Sequence, residues 1–195
     1  MAITGGNYKS AAQAMVNTIL APSAAGLFTF LTRKYITGQN KDHRLDFGAL
    51  TNGLLAGCVS ITASCAAVDT WAAIVIGLIG SVVYSLACVL TEKMEVDDPL
   101  EAFQVHGCCG IWGIIAMALF HSTKGVFYGG VSDDTTVAGG KFLAVQLLGI
   151  VCICAWSGGL SAIYFYVFKK MNCIRLNEEE ELLGGDIHYF APIQL

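Results

Sequence analysis

The chain reads as all-α, a polytopic membrane bundle of about five transmembrane helices. Three observations predict this: 55% of the 195 residues are hydrophobic, only 13% are charged, and the charges are confined to short connections between long apolar runs. A soluble domain of this size carries about 25% charged residues and gives each surface helix a polar face. With a mean hydropathy of +0.61, these runs suit instead the ~30 Å hydrocarbon core of a lipid bilayer.

Five runs are long enough to cross once, at roughly 10–31, 49–67, 71–90, 100–120 and 141–168. They define a membrane domain over 1–168, followed by a polar C-terminal tail over 169–195. The first run carries Asn17 and Thr18 among apolar neighbours, where they suit hydrogen bonds between helices. In the second, Asn52, Leu55, Val59 and Thr62 fall near one face, which could line a cavity. A bare turn at Asp69 leads to the third. The fourth opens with DDPLEAFQVHGCCGIWG (97–113), where Asp98 suits the N-cap, Pro99 the first helical position and Glu101 the acid of a capping box. The fifth would be ~42 Å long if wholly helical, so it should tilt or protrude.

Lys and Arg fix the expected orientation. If the first helix runs inward, the cytoplasmic side holds Arg33, Lys34, Lys41, Arg44, Lys93, Lys169, Lys170 and Arg175, and the outside holds only Lys9, Lys124 and Lys141. The C-terminus is therefore expected in the cytoplasm. The start MAITGGNYKS lacks the basic region and hydrophobic core of a signal peptide.

His106 is the clearest functional candidate. It lies about two turns into an apolar helix, where an ionisable side chain is costly and marks a functional site by default. The stripe through it reads Ala102, His106, Gly110, Gly113, Met117, so its neighbours on that face are mostly small. An interhelical hydrogen bond would equally account for a histidine there.

Other classes find little support. Seven of the eight cysteines lie in apolar stretches and Cys173 in the tail; Cys108 and Cys109 point about 100° apart on a helix and have no second pair, so no metal site or cofactor is expected. A net charge of −4 argues against a nucleic-acid surface. No nucleophile–base pair or phosphate loop suggests an enzyme.

The segment DDPLEAFQVHGCCGIWG resembles the ammonium transporter and Rhesus superfamily, more closely its ammonium transporter branch. AAQAMVNTILA (11–21), LTNGLLAGCVSITASCA (50–66), AAIVIGLIGSVVYSL (72–86), QLLGIVCICAWSGG (146–159) and RLNEEEELLGG (175–185) resemble successive elements of that family's second half. The resemblance implies helices seven to eleven of an eleven-helix fold, built from two inverted five-helix halves plus a final helix. It implies a homotrimer in the plasma membrane, with one narrow hydrophobic pore per subunit that carries ammonium or ammonia. His106 matches the second of two pore histidines that relay the substrate's proton, Leu55 and Ala102 match hydrophobic pore-lining positions, and Asp98 matches the acid at the mouth of this helix. The partner histidine, the aromatic gate and the cation-recruitment site belong to the first six helices, so the chain is expected to be a fragment and an incomplete pore. An ammonium sensor or an accessory subunit that assembles with full-length transporters is the alternative. A cytosolic regulator could meet the tail, although GGDIHYFAP (184–192) departs from the family's acidic motif and residues 169–195 contain no Ser or Thr to phosphorylate, leaving Tyr189.

Overall fold

The computed structural model describes residues 8–36, 47–128, 138–175 and 181. Five α-helices follow in order: α1 (Tyr8–Ile36), α2 (Phe47–Thr62), α3 (Thr70–Lys93), α4 (Cys109–Phe120) and α5 (Gly140–Lys170). A π-helical turn, Phe103–Cys108, leads directly into α4, and a 3-10 turn, Val126–Tyr128, follows it. No strand occurs among the described residues. This is the all-helical architecture that lipid favours, because a helix satisfies its own backbone groups.

Among the described residues, four helical stretches are long and apolar enough to cross a membrane: Tyr8–Arg33, Thr70–Lys93, Phe103–Phe120 and Gly140–Lys170. The exception is α2, whose 16 residues span ~24 Å. The expected second run, 49–67, continues past the helix because Ala63, Cys65, Ala66 and Ala67 keep the chain apolar while the backbone unwinds into turns. Polar groups elsewhere take up the carbonyls this releases. Asn17 donates to Cys65 O at 2.8 Å and to Val68 O at 2.9 Å, Gln13 donates to Val68 O at 2.7 Å, and the Ser122 backbone N–H donates to Ala67 O at 2.9 Å. The unwound segment is thus tolerated away from water because other elements supply its donors.

The chain divides into two compact units, Met1–Ile150 and Val151–Leu195. In the first, α1, α2 and α3 meet through small residues. Gly57 of α2 sits so close to α1 that a Cβ would lie 2.6 Å from Pro22 Cα, and Gly77 of α3 faces the Ala21 carbonyl, where a Cβ has no room at all. The Ala21–Pro22 step of α1 is thereby held between the two helices. An apolar cluster of Ala21, Ile61, Val68, Ala72, Ala73, Ile76, Ala116 and Phe120 closes one end, and Ala56, Tyr84, Cys88, Val105 and Cys109 form a second cluster.

The last helix, α5, has no buried residue. Within the second unit, Tyr164 stacks against Phe168 at 4.5 Å, Lys170 lies 5.2 Å over the Tyr166 ring, and Arg175 pairs with Glu181. His43, His188, the GGDIHYFAP motif and Tyr189 lie outside the described residues.

The α1–α3 contact makes a sharp prediction. Gly77→Ala should destabilise the protein by about 1–3 kcal/mol, because the obstacle is the backbone carbonyl of Ala21 rather than a movable side chain. Gly149→Ala, which meets nothing within 4 Å, should leave thermal stability unchanged. Melting of the detergent-solubilised variants, followed side by side, checks both.

Candidate functional site

The segment that carries His106 begins where α3 stops. Glu95 adopts a left-handed backbone (φ +54°), and the bonds Glu95 N–H to Glu92 O and Val96 N–H to Thr91 O, at 3.1 and 3.0 Å, form a Schellman closure. The following residues do not enter a helix at Pro99. Pro99 and Leu100 form a turn closed by Glu101 N–H to Asp98 O at 3.0 Å, and Glu101 itself is left-handed at φ +56°. Asp98 then spans the turn: its Oδ1 accepts from Ala102 N–H at 3.0 Å and its Oδ2 from Phe103 N–H at 2.8 Å. These donors lie further along than the Leu100 or Glu101 N–H that a helix starting at Pro99 would present.

With the Gln104 amide oriented to satisfy both ends, its nitrogen donates to Asp98 Oδ2 at 2.6 Å and its oxygen accepts from Thr91 Oγ1 at 2.8 Å. A cleft of about 230 Å³ opens here, lined by Thr91, Asp98, Glu101 and Gln104 among others.

Glu101 is not the acid of a capping box. Its carboxylate leaves the local backbone and accepts from three helices: Arg33 of α1 through both guanidinium nitrogens, one of them at 3.1 Å, Tyr84 Oη of α3, and Asn52 Nδ2 of α2 at 2.7 Å. Arg33 also donates to Tyr84 Oη. The Arg33 and Glu101 side chains are 12% and 18% exposed, so removing either would strand a largely desolvated charge, at a cost of about 3–5 kcal/mol. Glu101 precedes the first spanning residue, Phe103. Burial alone would raise its carboxyl pKa, but the bonds from Arg33, Tyr84 and Asn52 hold it well below the ordinary carboxylate range. Its stabilisation is therefore complete at neutral pH and is lost only as the pH falls through that depressed value. Asn52 serves this cluster rather than the cavity-lining face expected for it.

From Phe103 to Cys108 the chain winds as a π-helix, with the Cys109 N–H reaching Gln104 O five residues back. His106 lies in this turn and is exposed, as is Ala102, while Gln104 and Val105 are buried. Beyond the turn, α4 is fixed to its neighbours. Cys109 Sγ donates to Gly80 O at 3.6 Å, Trp112 Nε1 donates to Ile76 O at 3.0 Å, and a Cβ on Gly113 would lie 2.7 Å from Ser60 O.

These contacts also give the register between α2 and the π turn with α4, which run parallel. Asn52 meets Glu101 at one end, and Val59 comes nearest Gly110 further along. Leu55, 49% exposed, falls between those contacts on α2, and Ala102 and His106 fall between them on the other helix. The three candidate residues therefore occupy one stretch of the α2–α4 pair, each uncovered. No group of three metal-ligating side chains forms among the described residues. Of the remaining histidines, His121 ends α4 and accepts through Nδ1 from the backbone N–H of Thr123 at 3.2 Å and of Lys124 at 3.3 Å, a loop-bracing role.

Reading the sequence missed the Arg33–Tyr84–Asn52–Glu101 cluster. The available signal was an Arg and a Glu at the ends of apolar runs, where ionisable groups pair with one another.

Comparison with known proteins matches this architecture to one family. The model described as "Ammonium Transporter Family" matches residues 1–192. Putative ammonium transporter 1 member 5 of Arabidopsis thaliana is 35% identical over 93% of this chain, and ammonium transporter 1 member 1 of the same plant is 34% identical over the same share. Among solved structures, a chain described as "Sensor Amt Protein" superposes with a TM-score of 0.77 at 28% identity, and Candida albicans Mep2 with 0.73 at 27%, each over 93% of this chain. The chain spans 37% and 36% of the two plant proteins, and 42% and 40% of the two solved chains. The relatives named here as ammonium transporters are transport proteins rather than enzymes. With its apolar spanning helices and a family match along almost its whole length, this chain is an integral membrane protein that belongs to the ammonium transporter family.

Proposed function

We propose that this chain forms one half of a pathway for ammonium or ammonia, completed by further helices of a longer parent, and that His106 takes part in passing the substrate's proton. The observation that carries the reading is the uncovered His106 in a π turn, beside uncovered Ala102 and Leu55, in a member of this family. Extra backbone turns of this kind are frequent at functional sites.

The physical logic is desolvation. A hydrated cation crosses an apolar passage only at great cost, whereas a neutral molecule crosses cheaply, so ammonium gives up its proton before the constriction and ammonia passes. A neutral imidazole offers one donor and one acceptor, which suits both ammonia and a shuttled proton. Leu55 and Ala102 keep the passage beside it dry. Asp98 braces the start of the helix that presents these groups. In this reading the parent is a homotrimer of the plasma membrane, with its C-terminus in the cytoplasm on the side richer in Lys and Arg, where a cytosolic regulator could reach the tail.

A second reading is favoured by the likeness to the chain described as a sensor: an ammonium sensor or accessory subunit that assembles with full-length transporters. Under it, the chain co-purifies with a full-length relative and alters that relative's response without conducting by itself.

Two measurements on the full-length parent separate these readings. His106→Ala should lower ammonium uptake at least about tenfold, equivalent to about 1.4 kcal/mol on the barrier, with membrane abundance unchanged; unaltered uptake and voltage-clamp currents per molecule would remove the transport role. Ala102→Phe adds bulk on an uncovered face, so it should fold normally and still cut uptake, and a bystander position would show no loss.

A further inference from the structure

We propose that Glu101 is a positioning residue for His106: its anchored carboxylate sets the rotational phase of the helix start and so maintains the π turn from which the imidazole projects. The proposal rests on the reading of His106 as a pathway residue, and it concerns how the chain aims that residue.

The helix that carries His106 is held at two places. After the π turn, Cys109, Trp112 and Gly113 lock against α3 and α2. Before it, the Glu101 carboxylate is tied to α1, α2 and α3 through Arg33, Asn52 and Tyr84. An α-helix turns about 100° per residue, and a π turn takes in one residue more per hydrogen-bonded ring. The segment between the two anchorages therefore contains one residue more than an α-helix of the same phase would hold. Relaxing the π turn to α-helix would rotate the residues before it by about 100° relative to Cys109. That rotation would carry His106 into the buried direction that Val105 takes now and leave its uncovered place to Gly107.

Asp98 cannot provide the same control. Its carboxylate accepts from the first N–H groups of its own helix, so it moves with the segment it caps. Glu101 reaches the rest of the bundle. Its left-handed backbone marks the same conclusion, since that conformation costs a non-glycine residue about 1–3 kcal/mol and persists only where surroundings enforce it. The cluster bonds are the surroundings that do so.

The test reads direction without relying on transport. Position 106 is probed with His106→Cys and position 105 with Val105→Cys, each treated in membranes of expressing cells with a small methanethiosulfonate reagent. Mass spectrometry of the peptide resolves labelling there from labelling of Cys108 and Cys109. With Glu101 intact, position 106 should label and position 105 should be protected. Adding Glu101→Ala should abolish labelling at position 106 while position 105 stays protected, and the same substitution with His106 in place should lower the maximal rate of ammonium uptake more than it changes the KM. Where Glu101→Ala fails to fold, Arg33→Met/Glu101→Ala leaves no stranded charge and carries the test. Undiminished labelling of position 106 in a folded variant overturns the positioning role and leaves the pathway reading standing. Lost labelling of position 106, in a protein whose His106→Ala form transports normally, sustains the positioning role and removes the pathway reading.

Discussion

Backbone polarity in an apolar solvent governs this structure more than any single packing contact. Every N–H and C=O inside the bilayer needs a partner from the chain itself, and the places where helices stop are where that demand is hardest to meet. The chain meets it with side chains borrowed from a distance. The carbonyls freed when α2 unwinds are taken by Asn17 and Gln13 of α1 and by the backbone of Ser122. The N–H groups freed before the π turn are taken by Asp98. Asn17, Gln13 and Asp98 thus serve the interruptions of the helices.

Helix-to-helix distance follows from the same economy. With lipid tails as apolar as leucine, burial of apolar surface gives helices little reason to associate, and close backbone approach takes its place. Gly57 and Gly77 against Ala21–Pro22 set the spacing of α1, α2 and α3, and Gly113 against Ser60 sets that of α4 on α2. The charged cluster around Glu101 then ties the opposite end, so the first unit is fixed by shape along its length and by charge at one edge.

The sequence disclosed the helices and the candidate histidine because both leave local traces: long apolar runs, and an ionisable residue inside one. It did not disclose the end of α2, since Ala63, Cys65 and Ala66 keep the hydropathy high while the partners that let the helix end come from Asn17, 48 residues away for Cys65. Glu101 was misread for a related reason. Its spacing from Asp98 fits a capping box, yet its carboxylate pairs with Arg33, 68 residues upstream. The π turn has no local signature either, because it results from two tertiary anchorages rather than from the residues it contains. The family resemblance was visible for the opposite reason, since motifs such as FQVHGCCG are short, contiguous and distinctive.

The shortness of α2 bears on what holds the bundle together beyond its end. At ~24 Å against a hydrocarbon core of ~30 Å, the helix leaves its far end to turns whose Cys65 and Val68 carbonyls are held by the amides of Asn17 and Gln13. A helix carries its hydrogen bonds within itself, whereas this end borrows its donors from α1, so its integrity is a joint property of two elements and is lost with either.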